Sequence, residues 1–311
     1  MITVYCYDGG VKQVKLEEIK LLKGKKYWID VLSISKEESK KLQNIFSLHP
    51  LTIDDLLHAN SRIKVEEFPE YVYMVFYAIT DQKTLHEMDF VLGKNFLISS
   101  HKLHISSFDR FKGDNERIAR VMRKGMDYFL MRLLDKEIDN YFPVMEKVDA
   151  QIEKIEEQVA KSPTPEMLNA ILKLKRTLAN IKKVGYPQRD KIAQLTKNDI
   201  KLISKETVPY FRDIYDHSIR VADMLDNYRE AVSNTFDVYM SAVSNNMNEV
   251  MKMLSIIATI ALPLTVISSI YGTNFHNLPG SESWAGFWVM IGVMVALSFS
   301  MLYFFRKKGW L

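Results

Sequence analysis

Five residues recur one in every seven along the C-terminal third of the chain: Asp237, Ser244, Met251, Ala258 and Thr265. Leu254 and Leu262 lie beside that row, as do Met247 and Ala261. A seven-residue repeat keeps one face of a helix turned toward a common axis over many turns. Along this face a carboxylate and a hydroxyl give way to thioether and alkyl groups, and hydroxyls return at Thr265 and at Ser268 or Ser269. Neutral oxygens on a bundle axis can accept hydrogen bonds from a hydrated cation, and an apolar ring at Met251 and Leu254 can close such a path by dewetting. The pattern equally describes a packed coiled-coil core without a lumen, and the repeat alone does not choose between them. Other groups are less suggestive. His101-Lys102-Leu103-His104 offers only two ligands and reads as surface, and His276 lies near the far end of the row. No phosphate loop, nucleophilic triad or zinc-binding cysteine set is present, so neither an enzyme nor a catalytic cofactor is indicated.

The element that carries the row must cross a membrane. Met253 to Ser281 is 29 residues without Asp, Glu, Lys or Arg, and Ser283 to Phe305 is another 23, with Glu282 alone between them. About 20 apolar residues span the ~30 Å hydrocarbon core, which places two spans near 251–271 and 287–305. Apart from Lys252 at the edge of the first, neither contains an ionisable side chain of the kind a proton-coupled carrier usually needs, so passive flow is the expected mode. Lys252 precedes the first span, Arg306-Lys307-Lys308 closes the second, and the loop between carries Glu282 but no Lys or Arg. By the positive-inside rule both termini are cytosolic in a cell membrane. Trp284, Trp288 and Trp310 sit near span ends, where indole rings favour the interface. The first residues lack a basic region and a long apolar core, so no signal peptide is expected. A single cysteine, Cys6, precludes an intrachain disulfide.

Upstream of the spans the chain is soluble in character. Of 38 acidic and 42 basic residues, 37 and 39 precede Met253, mixed without a basic block, which gives no support for nucleic-acid binding. Residues 1–115 read as a mixed α/β domain, with strands at Ile2–Tyr7, Tyr71–Ile79, Asp89–Leu92 and Asn95–Ser99 and helices at Lys36–Ser47 and Pro50–His58. Residues 116–250 read as helical. Apolar residues recur three or four apart from Ile118 to Ile155, and Ser162-Pro163-Thr164-Pro165 then resets the pattern with Thr164 as N-cap. The next helix is expected to stop near Val184, before Gly185-Tyr186-Pro187. Pro209 opens the longest element: no Gly or Pro occurs from Tyr210 to Leu262. One helix from there to Tyr271 would be about 95 Å long, a stalk that becomes the first span. Residues 251–311 form the transmembrane hairpin and basic tail. Two spans cannot enclose a polar path, so a path requires several copies.

At the end of the first span stands Tyr271-Gly272-Thr273-Asn274-Phe275, after Asn248-Glu249-Val250-Met251-Lys252-Met253-Leu254 and Leu262-Pro263-Leu264-Thr265. With Val208-Pro209-Tyr210-Phe211-Arg212-Asp213, His49-Pro50-Leu51-Thr52-Ile53-Asp54-Asp55 and the terminal Lys307-Lys308-Gly309-Trp310-Leu311, the chain closely resembles the CorA family of magnesium and cobalt transporters over nearly its whole length. The resemblance implies an α+β membrane protein: an N-terminal mixed α/β cytosolic domain, a long helical stalk and two C-terminal transmembrane helices, assembled as a homopentamer. It implies a selectivity filter at Gly272, Thr273 and Asn274, where an amide ring holds a hydrated ion at the outer mouth and Gly272 lets the helix end turn its carbonyls inward. It further implies that Mg²⁺ or Co²⁺ is both cargo and regulatory ligand, bound between neighbouring copies by Asp55 with Asp213 and, secondarily, by Asp54 with Asp135. The family has Met where this chain has Thr273, which leaves Zn²⁺ and Ni²⁺ open beside Mg²⁺ and Co²⁺. A proton-coupled zinc carrier on the same scaffold and a membrane-anchored scaffold without transport are the alternatives.

Overall fold

A computed structural model describes the chain apart from residues 20–24, 59–60, 81–83, 198, 275–277, 281–282 and 311 and the side chain of Ala160. It divides into two compact units, Met1–Gln158 with Thr164–Phe236, and Val159–Pro163 with Asp237–Leu311.

The first unit is built on a seven-stranded sheet. Its strands are β1 (Ile2–Tyr7), β2 (Val11–Val14), β3 (Lys26–Leu32), β4 (Lys64–Glu67), β5 (Tyr71–Ile79), β6 (Leu85–Gly93) and β7 (Phe96–His101), in the order β2-β1-β3-β7-β6-β5-β4. Every pairing is antiparallel except β3 with β7, where Ile29 lies opposite Ile98. Side-chain alternation sorts the residues onto two faces. Tyr73, Val75, Val91, Ile98, Ile29 and Val31 share one core with Leu42 and Phe46 of α1 (Lys36–Phe46) and Ile53 and Leu56 of α2 (Pro50–His58). Ser35 starts α1 with a capping box: Glu38 N–H donates to its hydroxyl at 3.2 Å, and its own N–H donates to the Glu38 carboxylate at 2.9 Å.

The opposite face is covered by α3 (Ser106–Lys112), α4 (Asn115–Lys124) and α5 (Met126–Asp139). Trp28 anchors it. Fully buried, it stacks on Tyr5 at 4.9 Å between centroids and meets Phe129 edge-on at 4.9 Å. Its indole N–H donates to Ser99 Oγ (3.0 Å), which donates to Asp30 Oδ1 (2.8 Å). Asp30 also holds His101 Nε2 at 3.1 Å and Lys112 Nζ at 2.6 Å. His101 is thus buried rather than on the surface as its sequence context suggested, because β7 carries it into this network; His104 is exposed. The last strand ends at His101, and α4 and α5, beyond residue 114, still pack against the sheet.

The helical run expected from residue 114 onward is divided into α4, α5 and α6 (Tyr141–Lys161). Asp114 caps α4 by accepting from Arg117 N–H at 2.8 Å. Helix α7 runs from Pro165 to Leu195, without the expected stop before Gly185. Tertiary contacts explain its continuation. A Cβ on Gly185 would lie 3.1 Å from Leu225 Cδ1, so the glycine permits close approach of α7 and α8 (Val208–Tyr271). One turn on, buried Gln188 accepts a hydrogen bond from Tyr77 N–H at 2.8 Å. Thr164 occupies the expected N-cap of α7 with Pro165 in the first turn, but its side chain makes no capping bond to the backbone. Ile152, Ile171, Leu174 and Val232 meet between α6, α7 and α8.

The second unit contains the C-terminal part of α8 and helix α9 (Trp284–Lys307). Both are long and apolar enough to cross a membrane, with mean hydropathies of 2.1 and 2.0 over their most apolar windows. They expose Met253, Ile257, Val289 and Phe299, a surface suited to hydrocarbon and not to water.

Asp30 tests the importance of the sheet's charged core. Burial would raise its carboxyl, but His101 and Lys112 outweigh burial and hold it below the ordinary value. Its stabilising contribution is therefore present above the ordinary carboxylate range and lost as pH falls through it. Asp30→Asn leaves Lys112 with only the more exposed Asp109, 3.3 Å away, and removes the charge that Ser99 and His101 reach; it should cost about 1–3 kcal/mol, read as a lowered melting temperature of the detergent-solubilised chain. The difference from wild type should shrink as pH drops below about 4.

Candidate functional site

Two faces of α8 contrast within the second unit. Lys252, Ile256, Ile260, Pro263 and Ile267 are buried or half-buried, whereas Asp237, Ser244, Met251, Leu254, Ala258, Leu262 and Thr265 are all exposed. At about 100° per residue, the two sets centre roughly half a turn apart. Lys252 shows where the first set faces, donating to the Gly309 carbonyl at 3.1 Å beyond the end of α9. The seven-residue row is therefore free on the face turned away from the chain's own contacts.

Along this face the hydroxyls are constrained. Thr265 Oγ1 donates to the Ala261 carbonyl at 2.9 Å, and Thr273 Oγ1 donates to the Ile270 carbonyl at 2.7 Å. With the proton committed to the backbone, each oxygen presents only acceptor lone pairs outward. Helix α8 ends at Tyr271, and Gly272 N–H still bonds Ser268 O at 2.9 Å. Gly272 keeps a negative φ at the helix end. Its small size matters instead: a Cβ there would crowd the Ser268 carbonyl at 3.2 Å. Asn274 follows outside the helix with its side chain exposed. Phe275, His276, Glu282 and Leu311 lie outside the described residues. Of the basic tail, Arg306 and Lys307 end α9 and Lys308 caps it.

The carboxylates are distributed over the first unit. Asp54 is exposed on α2 beside His58, 3.1 Å away. Asp55 is engaged within the chain: Lys64 Nζ lies 2.6 Å from Oδ2, and Ser61 Oγ donates to Oδ1 at 3.3 Å. Asp213, on α8, is exposed, and no hydrogen bond or ion pair links it to Asp55 among the described residues. Asp135, on α5, accepts from Arg132 at 2.9 Å; burial raises its carboxyl, and the charges of Asp139 and Asp213 add to the rise. Asp135, Asp139 and His217 bring one ligand atom each to within 4.8 Å of one another, with His217 Nδ1 3.3 Å from Asp139 Oδ1. Asp139 and His217 were missed in the sequence. Their signal was a double i,i+4 spacing, Asp135 with Asp139 and Asp213 with His217, which places each pair on one helix face. Carboxylate oxygens with an imidazole suit a divalent ion of hard or borderline character.

An α/β unit joined by one unbroken helix to a second, hydrocarbon-facing helix defines a membrane protein with a long helical stalk. The comparisons with known proteins agree. A family model described as CorA-like Mg²⁺ transporter protein matches residues 23–307. The chain is 39% identical over 294 residues to the cobalt/magnesium transport protein CorA of Thermotoga maritima, covering 91% of this chain and 83% of that one. It is 26% identical to the protein of the same name from Methanocaldococcus jannaschii, with both chains fully covered. The complete structure of the CorA magnesium transporter from Methanocaldococcus jannaschii superposes with a TM-score of 0.88 at 23% identity, covering 100% of this chain and 99% of that one. The chain belongs to the CorA family.

If the exposed row faces other copies, cysteines placed on it will react between chains. Cys6 is buried, so a Cys6→Ala background is clean. Under mild oxidation in membranes, Ala258→Cys should give disulfide-linked dimers, while Ile260→Cys, half-buried within the chain, should stay monomeric. The readout is non-reducing electrophoresis, and equal cross-linking at both positions would refute the assignment of faces.

Proposed function

We propose that this chain forms a homopentameric channel for divalent metal cations, Mg²⁺ or Co²⁺, in a cell membrane with both termini in the cytosol. The observation that carries this reading is the exposed row of α8, uncharged from Ser244 to Thr265 and followed beyond the helix end by Thr273 and Asn274. Acceptor-only hydroxyls and an amide oxygen can bond the water shell of an ion without stripping it, and Mg²⁺ sheds that water reluctantly. A carboxylate ring in their place would bind the ion directly and hold it. Met251 and Leu254 form the apolar constriction that closes the path.

Cytosolic metal sensing completes the proposal. Asp55 of one copy faces Asp213 of the next, with Asp54 and Asp135 as a second pair. Two bare carboxylates 4 Å apart would repel by roughly 4 kcal/mol at an effective dielectric near 20. Lys64 beside Asp55 reduces that repulsion, so the empty site is less strained than the carboxylates alone suggest. A bound ion would join the copies and favour closure. A second reading, with Zn²⁺ or Ni²⁺ as cargo, is favoured by Thr273 in the family's Met position and by the imidazole of His217 beside Asp135 and Asp139.

Proteoliposome influx of Mg²⁺, Co²⁺, Ni²⁺ and Zn²⁺ at fixed pH and potential tests both readings. Asn274→Ala should lower influx of the preferred ion at least about tenfold, equivalent to ~1.4 kcal/mol on the barrier, while the oligomer stays intact. Normal influx through a well-assembled variant would exclude Asn274 as the filter. For sensing, Asp213→Lys should hold the copies together without metal, giving protease resistance and low influx even in chelator. Behaviour like wild type in both assays would remove Asp213 from the sensor.

A further inference from the structure

Helices α1 and α2 leave one corner of their face of the sheet uncovered. There Tyr77 of β5, Glu87 and Asp89 of β6 and Ser100 of β7 continue the face that carries Tyr73, Val75, Val91 and Ile98. A cavity of about 320 Å³ occupies the corner, walled by Ile34, Leu56 and Leu57. Asp89 is its most constrained group. Only 3% exposed, it accepts the Tyr73 hydroxyl on Oδ1 at 2.7 Å, and its other carboxyl oxygen receives no hydrogen bond from any described residue. Glu87, half-buried beside it, accepts from Tyr77 OH at 3.1 Å and from Ser61 N–H at 3.1 Å.

The chemistry of this lining selects an occupant. An anion would meet two carboxyl groups, opposed only by Lys102 at the exposed rim and the half-buried imidazole of His86, which already bonds Thr84. A metal ion needs more oxygen ligands than this pair supplies, and the only group of three such ligands among the described residues lies elsewhere, at Asp135, Asp139 and His217. A wholly apolar molecule would leave the Asp89 oxygen unpaired. We propose that the cavity is a binding site for a small organic cation, a primary ammonium on a short aliphatic body. The ammonium donates to the free oxygen of Asp89 and to Glu87, and the aliphatic body lies against Leu56 and Leu57. Burial raises both carboxyls, Asp89 to about 8, so at neutral pH Asp89 is largely protonated and releases its proton to solvent as the ammonium binds. Ser61 also places the occupant two hydrogen bonds from Asp55, since its N–H bonds Glu87 and its hydroxyl bonds Asp55.

Calorimetric titration of the full chain in detergent tests this without reference to transport, so its failure is distinct from failure of the channel reading. The probes are n-butylamine and 1,4-diaminobutane, with butyrate and n-butanol as anionic and neutral counterparts of similar length. The amines should bind one site per chain, and the counterparts at least about tenfold more weakly. Asp89→Asn keeps an acceptor for Tyr73 and replaces the free oxygen with an N–H donor, so amine affinity should fall at least about tenfold. Leu57→Trp fills the cavity from its wall without touching either carboxyl and should abolish amine binding. Amine binding no stronger than that of butyrate or butanol, or unchanged in both variants, overturns the proposal.

Discussion

A helix that enters hydrocarbon must satisfy its backbone polar groups internally, because no water is there to do so. Helix α8 meets this constraint by running unbroken for 64 residues, through Pro263, to Tyr271. The same constraint explains the behaviour of its hydroxyls. Thr259 and Thr265 return their protons to carbonyls one turn back, at 2.7 and 2.9 Å, which costs the helix nothing in continuity. What these hydroxyls leave exposed are acceptor lone pairs set among apolar side chains. Continuity also means that one helix carries Asp213 and His217 near one end and Met251, Leu254 and Thr265 toward the other.

The sheet imposes a different kind of order. Asp30 is buried at the centre of β3, and its charge is acceptable only because Ser99, His101 and Lys112 all reach it. Removing one member of such a network strands another charge, so the arrangement specifies a unique packing as much as it adds stability. This platform sets α2 in place, and α2 carries Asp54 and Asp55. Lys64 of β4 then decides the character of Asp55, converting a lone carboxylate into half of an ion pair, with which a metal ion bound as proposed would have to compete.

Under the proposed reading the two kinds of oxygen serve separate tasks. Carboxylates occur where an ion is to be retained, at Asp55, Asp135 and Asp213, and are missing from the spans, where an ion is to pass. A divalent ion bound directly by carboxylates leaves slowly, whereas one held through its water by amides and hydroxyls can move on.

The two long apolar stretches and the long helix were legible in the sequence because both depend on local composition. Two uncharged runs and a stretch from Tyr210 to Leu262 free of Gly and Pro leave the backbone little alternative. The seven-residue row was legible for the same reason, since periodicity alone fixes which side chains share a helix face. Strand β3 was not, because Asp30 interrupts its apolar pattern and only His101, 71 residues away, and Lys112 make a buried carboxylate tolerable there. Gly185 and Pro187 signalled a helix end that packing against Leu225 and the Gln188–Tyr77 bond overrode. Nor could the sequence show that Asp139 and His217 join Asp135, or that Lys64 holds Asp55. These juxtapositions join residues far apart in the chain or on different elements, and electrostatic partners act through distance in space, which only the tertiary fold sets.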